Sequence, residues 1–331
     1  MKERLVYIDI LRAMAIFLVT LGHMTEYGGY GNGLLHGVIY SFHMPLFFAI
    51  SGFVSMYAFR TSDPRLDARG LFLFIWKKFR FIMIPYFVWN LVVHPFAFAS
   101  RMPTWGSYAA LCRSVFVENT SAWFLPCLFG LLIVLALHRL VLSNLSLQGA
   151  SAWVDVAGLG ILFGCVAVAY HFTGNPFLRS IVSYAIPFSG GALMGRYSTI
   201  DRILTERQGA FWVSLALFAV FAGLFVASDG SKGLRLVAGL SSIPVFFTVA
   251  KNLSLSGRFE QALCLLGQNT LVIYCCQNWA RIPDVSMWHL STLLQFSVFG
   301  AIAVVMMSFV VFFARLIGRN FLLRQVLLGR A

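Results

Sequence analysis

Three ionisable residues share one apolar stretch near the amino terminus, YIDILRAMAIFLVTLGHM from Tyr7 to Met24: Asp9 and Arg12 near its start and His23 near its end. A charge inside a bilayer-length run costs about 2.5–3.5 kcal/mol on insertion scales, so each marks a site or a pair. On a helix the eleven residues from Arg12 to His23 make nearly three whole turns, which puts both on one stripe about 16 Å apart along the axis. Asp9, three residues before Arg12, lies beside that stripe and within pairing reach. Two readings fit this run alone. One is a structural Asp9–Arg12 pair at the membrane boundary with His23 reaching interfacial water. The other is a single site that uses the cation at one end and the imidazole at the other.

Two further constellations bear on the choice. SFHMPLFFAISGF, Ser41 to Phe53, sets His43 and Pro45 near the outer end of a second apolar run, at a depth comparable to His23, with Ser51 and Gly52 farther in. Pro45 removes a backbone donor and can bend a helix so that a freed carbonyl lines a cavity; a kink packed with small residues is the plainer account. WKKFRFIMIPYFVWN, Trp76 to Asn90, sets Lys77 and Arg80 three apart on one helical face at the inner entry of a third run. With Arg12 at similar depth these cations suit phosphates, arginine by forked donors and lysine as a point charge. Ordinary positive-inside anchoring is the alternative for Lys77 and Arg80.

The elements that must position these residues follow from composition. With 59% hydrophobic and 11% charged residues over 331 positions and a mean hydropathy of +0.81, the chain is an all-α polytopic membrane bundle rather than a soluble domain. Spanning helices are expected near 5–24, 38–59, 71–99, 122–142, 153–172, 180–195, 211–228, 234–250, 263–280 and 290–316, about ten in all. The first is too long and too polar for a signal-peptide core and is read as a retained helix. Most of the 25 lysines and arginines then fall on the side of the amino terminus, which places both termini in the cytoplasm.

The net charge of +13 is largely topological and needs no nucleic acid to explain it. The six cysteines are scattered, without CxxC or metal-ligand spacing, and read as free thiols packed in helices. The longest loops, 100–121 outside and 61–70 inside, are too short to be domains, and no internal repeat supports an inverted-repeat transporter. Residues 1–331 therefore read as one integral membrane domain whose helices carry any chemistry.

At this point the chain resembles the membrane-bound acyltransferase 3 family. YIDILRAMAIFLVTLGH carries its Arg-ten residues-His pattern, and SFHMPLFFAISGF resembles its second-helix FHMPLFF…SG pattern. AWFLPCLF (Ala122 to Phe129), IPFSGGALMGR (Ile186 to Arg196) and LGQNTLVIYCCQ (Leu266 to Gln277) resemble its WFL…LF, PFF…G and G…SLxIY…H segments, in order and with spacing intact. Two positions depart from the pattern. The family's RxxR is here Lys77 to Arg80, which keeps two cations but gives up one bidentate fork. Gln277 stands where the ninth-span motif often ends in histidine. No esterase-like domain, present in some relatives, follows the last span.

The resemblance implies O-acyl transfer, usually of acetyl from acetyl-CoA, to a hydroxyl of a sugar in a cell-surface or lipid-linked glycan. The expected partners are acyl-CoA, a glycan acceptor and the lipid bilayer, in a bacterial inner (plasma) membrane, with no metal and no nucleic acid. Arg12, Lys77 and Arg80 would take the donor's phosphates. A hydroxyl nucleophile needs a base that titrates near neutrality, the property of histidine, and His23 is the candidate as base or as nucleophile. Glu26, three residues on, would orient it, or is a solvated loop carboxylate. His43 would be a partner acid, an oxyanion donor or a gate. Ser51, Trp123, Asn269 and Tyr274 match motif positions and would line a tunnel for the donor's arm, or serve packing.

His36, His94, His138, His171 and His289 fall at expected ends or loops and read as solvated. Two rivals come from other classes: a transporter of a small substrate, and a non-catalytic scaffold of a glycan-synthesis complex. Acceptor selectivity would reside in outer segments such as 26–37 and 100–121.

Overall fold

A computed structural model of the chain describes residues 5–62, 66–97, 104–118, 122–147, 151–228, 230–255, 257–276 and 282–329. Gln277 lies outside them. Among the described residues the protein is all-helical, with no strand. That outcome follows from the solvent: hydrocarbon offers no partner to backbone N–H and C=O groups, and a helix satisfies them within one segment. Among the described residues seven helical stretches are long and apolar enough to cross a bilayer: Val6–Tyr30, Leu34–Arg60, Phe124–Asn144, Ala152–Thr173, Gln208–Ala227, Lys232–Asn252 and Thr292–Ile317.

The other three expected spans are helical over their described residues, and two of them are irregular. The third is a succession of α3 (Ala68–Lys78), a π-helical turn (Phe79–Met83), α4 (Ile84–Val88), a second π turn (Trp89–Val93) and α5 (His94–Ala97). The sixth, α9 (Pro176–Arg196), is 21 residues long but diluted by serine and glycine. The ninth is broken at Asn269 into α13 (Gly257–Gln268) and α14 (Thr270–Cys276). The segment 100–121, expected as an outer loop, contains the helix α6 (Trp105–Phe116), started by Thr104, whose side chain accepts from the Ser107 N–H.

The chain divides into two compact units, residues 1–50 with 198–316 and residues 51–197 with 317–331. In the first, α1 (Val6–Thr25) runs into a π turn (Glu26–Tyr30), and the chain returns through the first part of α2 (Leu34–Ser62). α10 (Ser198–Thr205), α11 (Gln208–Ala227), α12 (Lys232–Asn252), α13, α14 and α15 (Thr292–Ile317) complete it. α1 packs on α12, α13 and α14. Its approach to α13 is backbone-close: a Cβ on Gly267 would collide with the carbonyl of Asp9, so only glycine fits there. Phe42 of α2 meets Phe218 of α11 and Phe246 of α12 at centroid distances of 4.8 and 5.1 Å. α10 is tied to α12 where Lys251 Nζ reaches Asp201 Oδ2 at 2.7 Å and Thr205 Oγ1 at 2.8 Å.

In the second unit α8 (Ala152–Thr173) and α7 (Phe124–Asn144) pack on α9, α3 packs on α7, and α16 (Phe321–Leu328) packs on α4. The buried Trp89 indole donates to the Leu327 carbonyl at 2.9 Å and fixes α16 in place. Asp67, at the N-cap of α3, accepts from the Gly70 N–H at 2.6 Å and sets where that helix starts.

Candidate functional site

His23 lies in the last turn of α1, which runs into the π turn Glu26–Tyr30 with its non-helical residue at Gly29. Glu26 opens the π turn, three residues on, and its Oε2 stands 3.4 Å from His23 Nδ1. A carboxylate only accepts, so in the neutral ring Nδ1 carries the proton and Nε2 keeps its lone pair. The imidazole is 26% exposed, enough to meet a substrate. Local helical geometry accounts for this pair, and π turns recur at functional sites because the inserted residue re-aims side chains.

The return along α2 adds residues that the Tyr7–Met24 run does not announce. Tyr40 OH donates to the same Glu26 Oε2 at 3.0 Å. Its ring stacks on His36 at 3.8 Å and meets His43 at 4.8 Å and His23 at 6.4 Å. Gly22 makes room for it, since a Cβ there would stand 3.0 Å from Tyr40 Cε2. Tyr27 also stacks on His23, at 6.1 Å. His36, expected to be solvated, is thus a member of this cluster. The signal for it was present in HGVIYSFH: His36, Tyr40 and His43 recur at i, i+4 and i+7, one face of a helix.

His43 is buried, and its Nδ1 meets the Ile39 carbonyl at 2.8 Å. A carbonyl also only accepts, so in the neutral ring Nε2 is an acceptor rather than a donor. Pro45 leaves α2 continuous and sits against Gly239 of α12, whose missing side chain accommodates the ring. Arg12 Nη1 is 3.7 Å from Asp9 Oδ1, so the expected i,i+3 pair forms, with the guanidinium one-third exposed. α1 is unbroken from Arg12 to His23, which preserves the stripe and its span of about 16 Å. Asn269 is buried at the break in the ninth span, where its side-chain amide donates to the Leu265 carbonyl at 2.7 Å; Tyr274 is buried in α14.

The second unit holds Ser51, Lys77, Arg80 and Trp123. Ser51 is half-buried in α2. Lys77 is exposed near the end of α3, with Nζ 5.9 Å from the Phe81 ring centroid. Arg80 lies in the following π turn, so the helical pitch changes between the two cations. Trp123 stacks on Tyr184 of α9 at 5.4 Å.

This unit also contains a buried ionic cluster that the sequence reading missed. Asp155 of α8 meets His138 Nε2 at 2.8 Å, Arg196 Nε at 3.0 Å and the Tyr197 hydroxyl at 2.6 Å. Burial, followed by that bond to a carboxylate, pushes the Tyr197 phenol up to about 12. The His138 side chain is only 2% exposed, so the solvated reading fails there: a position near a helix end does not tell what packs over it. His171 and His289 are exposed, as expected.

A separate cavity of about 690 Å³ in the first unit is lined by residues including Arg207, Phe211, Thr248 and Lys251, and by none of the candidate residues. Among the described residues no group of three or more histidine, cysteine, aspartate or glutamate side chains is placed to hold a metal ion.

The site's chemistry is that of a backed imidazole on a membrane helix, with a cation three turns away on the same stripe. Residues 5–317 match the family described as Acyltransferase domain, acyltransferase 3. No curated protein and no solved structure matches the chain. The family match covers nearly the whole length, including the helices that carry Arg12, His23, His43, Asn269 and Tyr274. The chain belongs to the acyltransferase 3 family, and is a multi-pass membrane enzyme that moves an acyl group from a donor to an acceptor.

Proposed function

We propose that the protein is an O-acetyltransferase of a bacterial plasma membrane, taking the acyl group from cytoplasmic acetyl-CoA and placing it on a hydroxyl of a cell-surface or lipid-linked sugar. The observation that carries this reading is the His23–Glu26 arrangement, a base whose Nδ1 faces a carboxylate acceptor while Nε2 is left to take a proton. His23 Nε2 takes the proton from the acceptor hydroxyl as its oxygen attacks the thioester carbonyl carbon. The tetrahedral adduct collapses, the C–S bond breaks, and the thiolate leaves with the proton returned from the imidazolium. The products are an ester and a thiol, and the base is regenerated.

Arg12 takes a phosphate of the donor. Its separation from His23 along α1, about 16 Å, matches a donor whose thioester is carried on a long flexible arm. The sequence adds Lys77 and Arg80 as further donor-binding cations, and Asn269 and Tyr274 as residues beside the arm.

The test is binding and turnover of acetyl-CoA by the purified protein in nanodiscs, wild type beside His23→Ala. Saturable binding by both proteins with turnover by the wild type alone supports the reading. An intact fold that binds no acetyl-CoA puts the transporter or scaffold reading ahead.

A further inference from the structure

We propose that Tyr40 is a positioning residue for His23: by donating to Glu26 Oε2 it fixes the carboxylate that holds the imidazole in its Nδ1–H form, so that Nε2 is the nitrogen offered to the substrate. The inference rests on the reading of His23 as a base, and it adds what makes that base single-minded. Glu26 alone is poorly suited to the task. Its side chain is 52% exposed and sits on a π turn, where a flexible carboxylate samples many rotamers and a water-screened contact contributes little.

Tyr40 supplies the missing constraint because it is itself held on several sides. Its ring is stacked on His36 at 3.8 Å with 25° between planes, touches His43 at 4.8 Å, and lies against the bare face of Gly22. His36 is anchored in turn: its Nδ1 stands 3.2 Å from Thr25 Oγ1 and 3.3 Å from the Gly22 carbonyl. The Thr25 hydroxyl already donates to that carbonyl at 2.7 Å, so both neighbours of the His36 nitrogen are acceptors and Nδ1 carries the proton. Order therefore passes from the α1 backbone at Gly22 through His36, Tyr40 and Glu26 back to His23, one residue beyond its starting point.

Each of the three histidines has its Nδ1–H committed: His23 to Glu26, His36 to the Gly22–Thr25 pair, His43 to the Ile39 carbonyl. Only the first commitment depends on Tyr40. That difference builds a control into the protein, because loss of the Tyr40 hydroxyl should release one imidazole and leave two unchanged.

The experiment is ¹⁵N magnetic resonance of the full chain in nanodiscs, labelled at histidine, with the His23 signal assigned by its loss in His23→Gln. In the wild type His23 shows the Nδ1–H pattern. In Tyr40→Phe, which keeps the ring and its stacking, His23 should shift toward the Nε2–H form favoured by free histidine, while His36 and His43 keep their patterns and so report an intact fold. With acetyl-CoA as donor, kcat should fall about ten- to a hundred-fold with the donor KM changed less than about two-fold.

An unchanged His23 pattern in Tyr40→Phe overturns the proposal, whether or not turnover falls. Simultaneous change in all three histidines overturns it as well, since Tyr40 would then be a packing residue. A His23 shift in a protein that transfers no acetyl group leaves the positioning role standing and removes the acetyl-transfer reading instead.

Discussion

Tyr40 and His23 meet at a single oxygen atom: the phenol donates to Glu26 Oε2 at 3.0 Å, and the imidazole Nδ1 lies 3.4 Å from the same atom. Two helices, α1 and α2, are joined there by chemistry as well as by the turn between them. In the neutral ring that contact puts the proton of His23 on Nδ1, and Nε2 keeps its lone pair.

Replacing His23 by alanine removes the proposed base and none of the proposed phosphate contacts. Turnover of acetyl-CoA should fall by about 10²–10⁴-fold with donor affinity largely retained. The measurement is single-turnover kinetics beside equilibrium binding. Residual turnover close to wild type would transfer the role of base to another group.

Arg12→Ala removes the cation three turns away and should act in the opposite sense. Donor affinity should weaken about ten-fold or more, the scale of a charge-assisted hydrogen bond, with the chemical step less affected at saturating donor. Arg80→Ala is expected to behave likewise. Equal loss of binding in Arg12→Ala, Arg80→Ala and His23→Ala would sink the division of labour between cation and base.

Gly267→Ala tests the seat of α1 rather than its chemistry. The added methyl would run into the Asp9 carbonyl, and overpacking of this kind costs about 1–3 kcal/mol. The thermal midpoint of the protein in detergent should drop. An unaltered midpoint would mean that α1 and α13 approach less closely than they do here.

Asp155→Asn tests the buried cluster of the second unit. The substitution keeps the shape but removes the charge that Arg196 Nε and His138 Nε2 both meet, and breaking a buried ionic contact costs about 3–5 kcal/mol. A large loss of thermal stability is expected. If stability is unchanged while turnover collapses, the cluster serves the reaction and not the fold.

Much of α1 was readable in advance. The Arg12–His23 stripe, the Asp9–Arg12 pair and the His23–Glu26 contact all follow from 3.6 residues per turn, and all are present. The spacing of His36, Tyr40 and His43 on α2 was equally regular, but a stripe on one helix does not say which stripe of another it faces. His138 shows the same gap: its neighbours Asp155, Arg196 and Tyr197 come from α8 and from the end of α9.

The sequence by itself determined that this is a helical membrane protein of the acyltransferase 3 family. Apolar length obliges each segment to satisfy its own backbone, and the family's motifs stand in order along those segments. It also determined the Asp9–Arg12 and His23–Glu26 contacts, because helix geometry is local. Only the tertiary structure decided that α1 turns through a π helix into α2 so that Tyr40 reaches Glu26, that the ninth span breaks at Asn269, and that His138 is sealed against Asp155. Those relationships depend on how side chains pack between different segments of the chain. Periodicity within a segment carries no information about that packing.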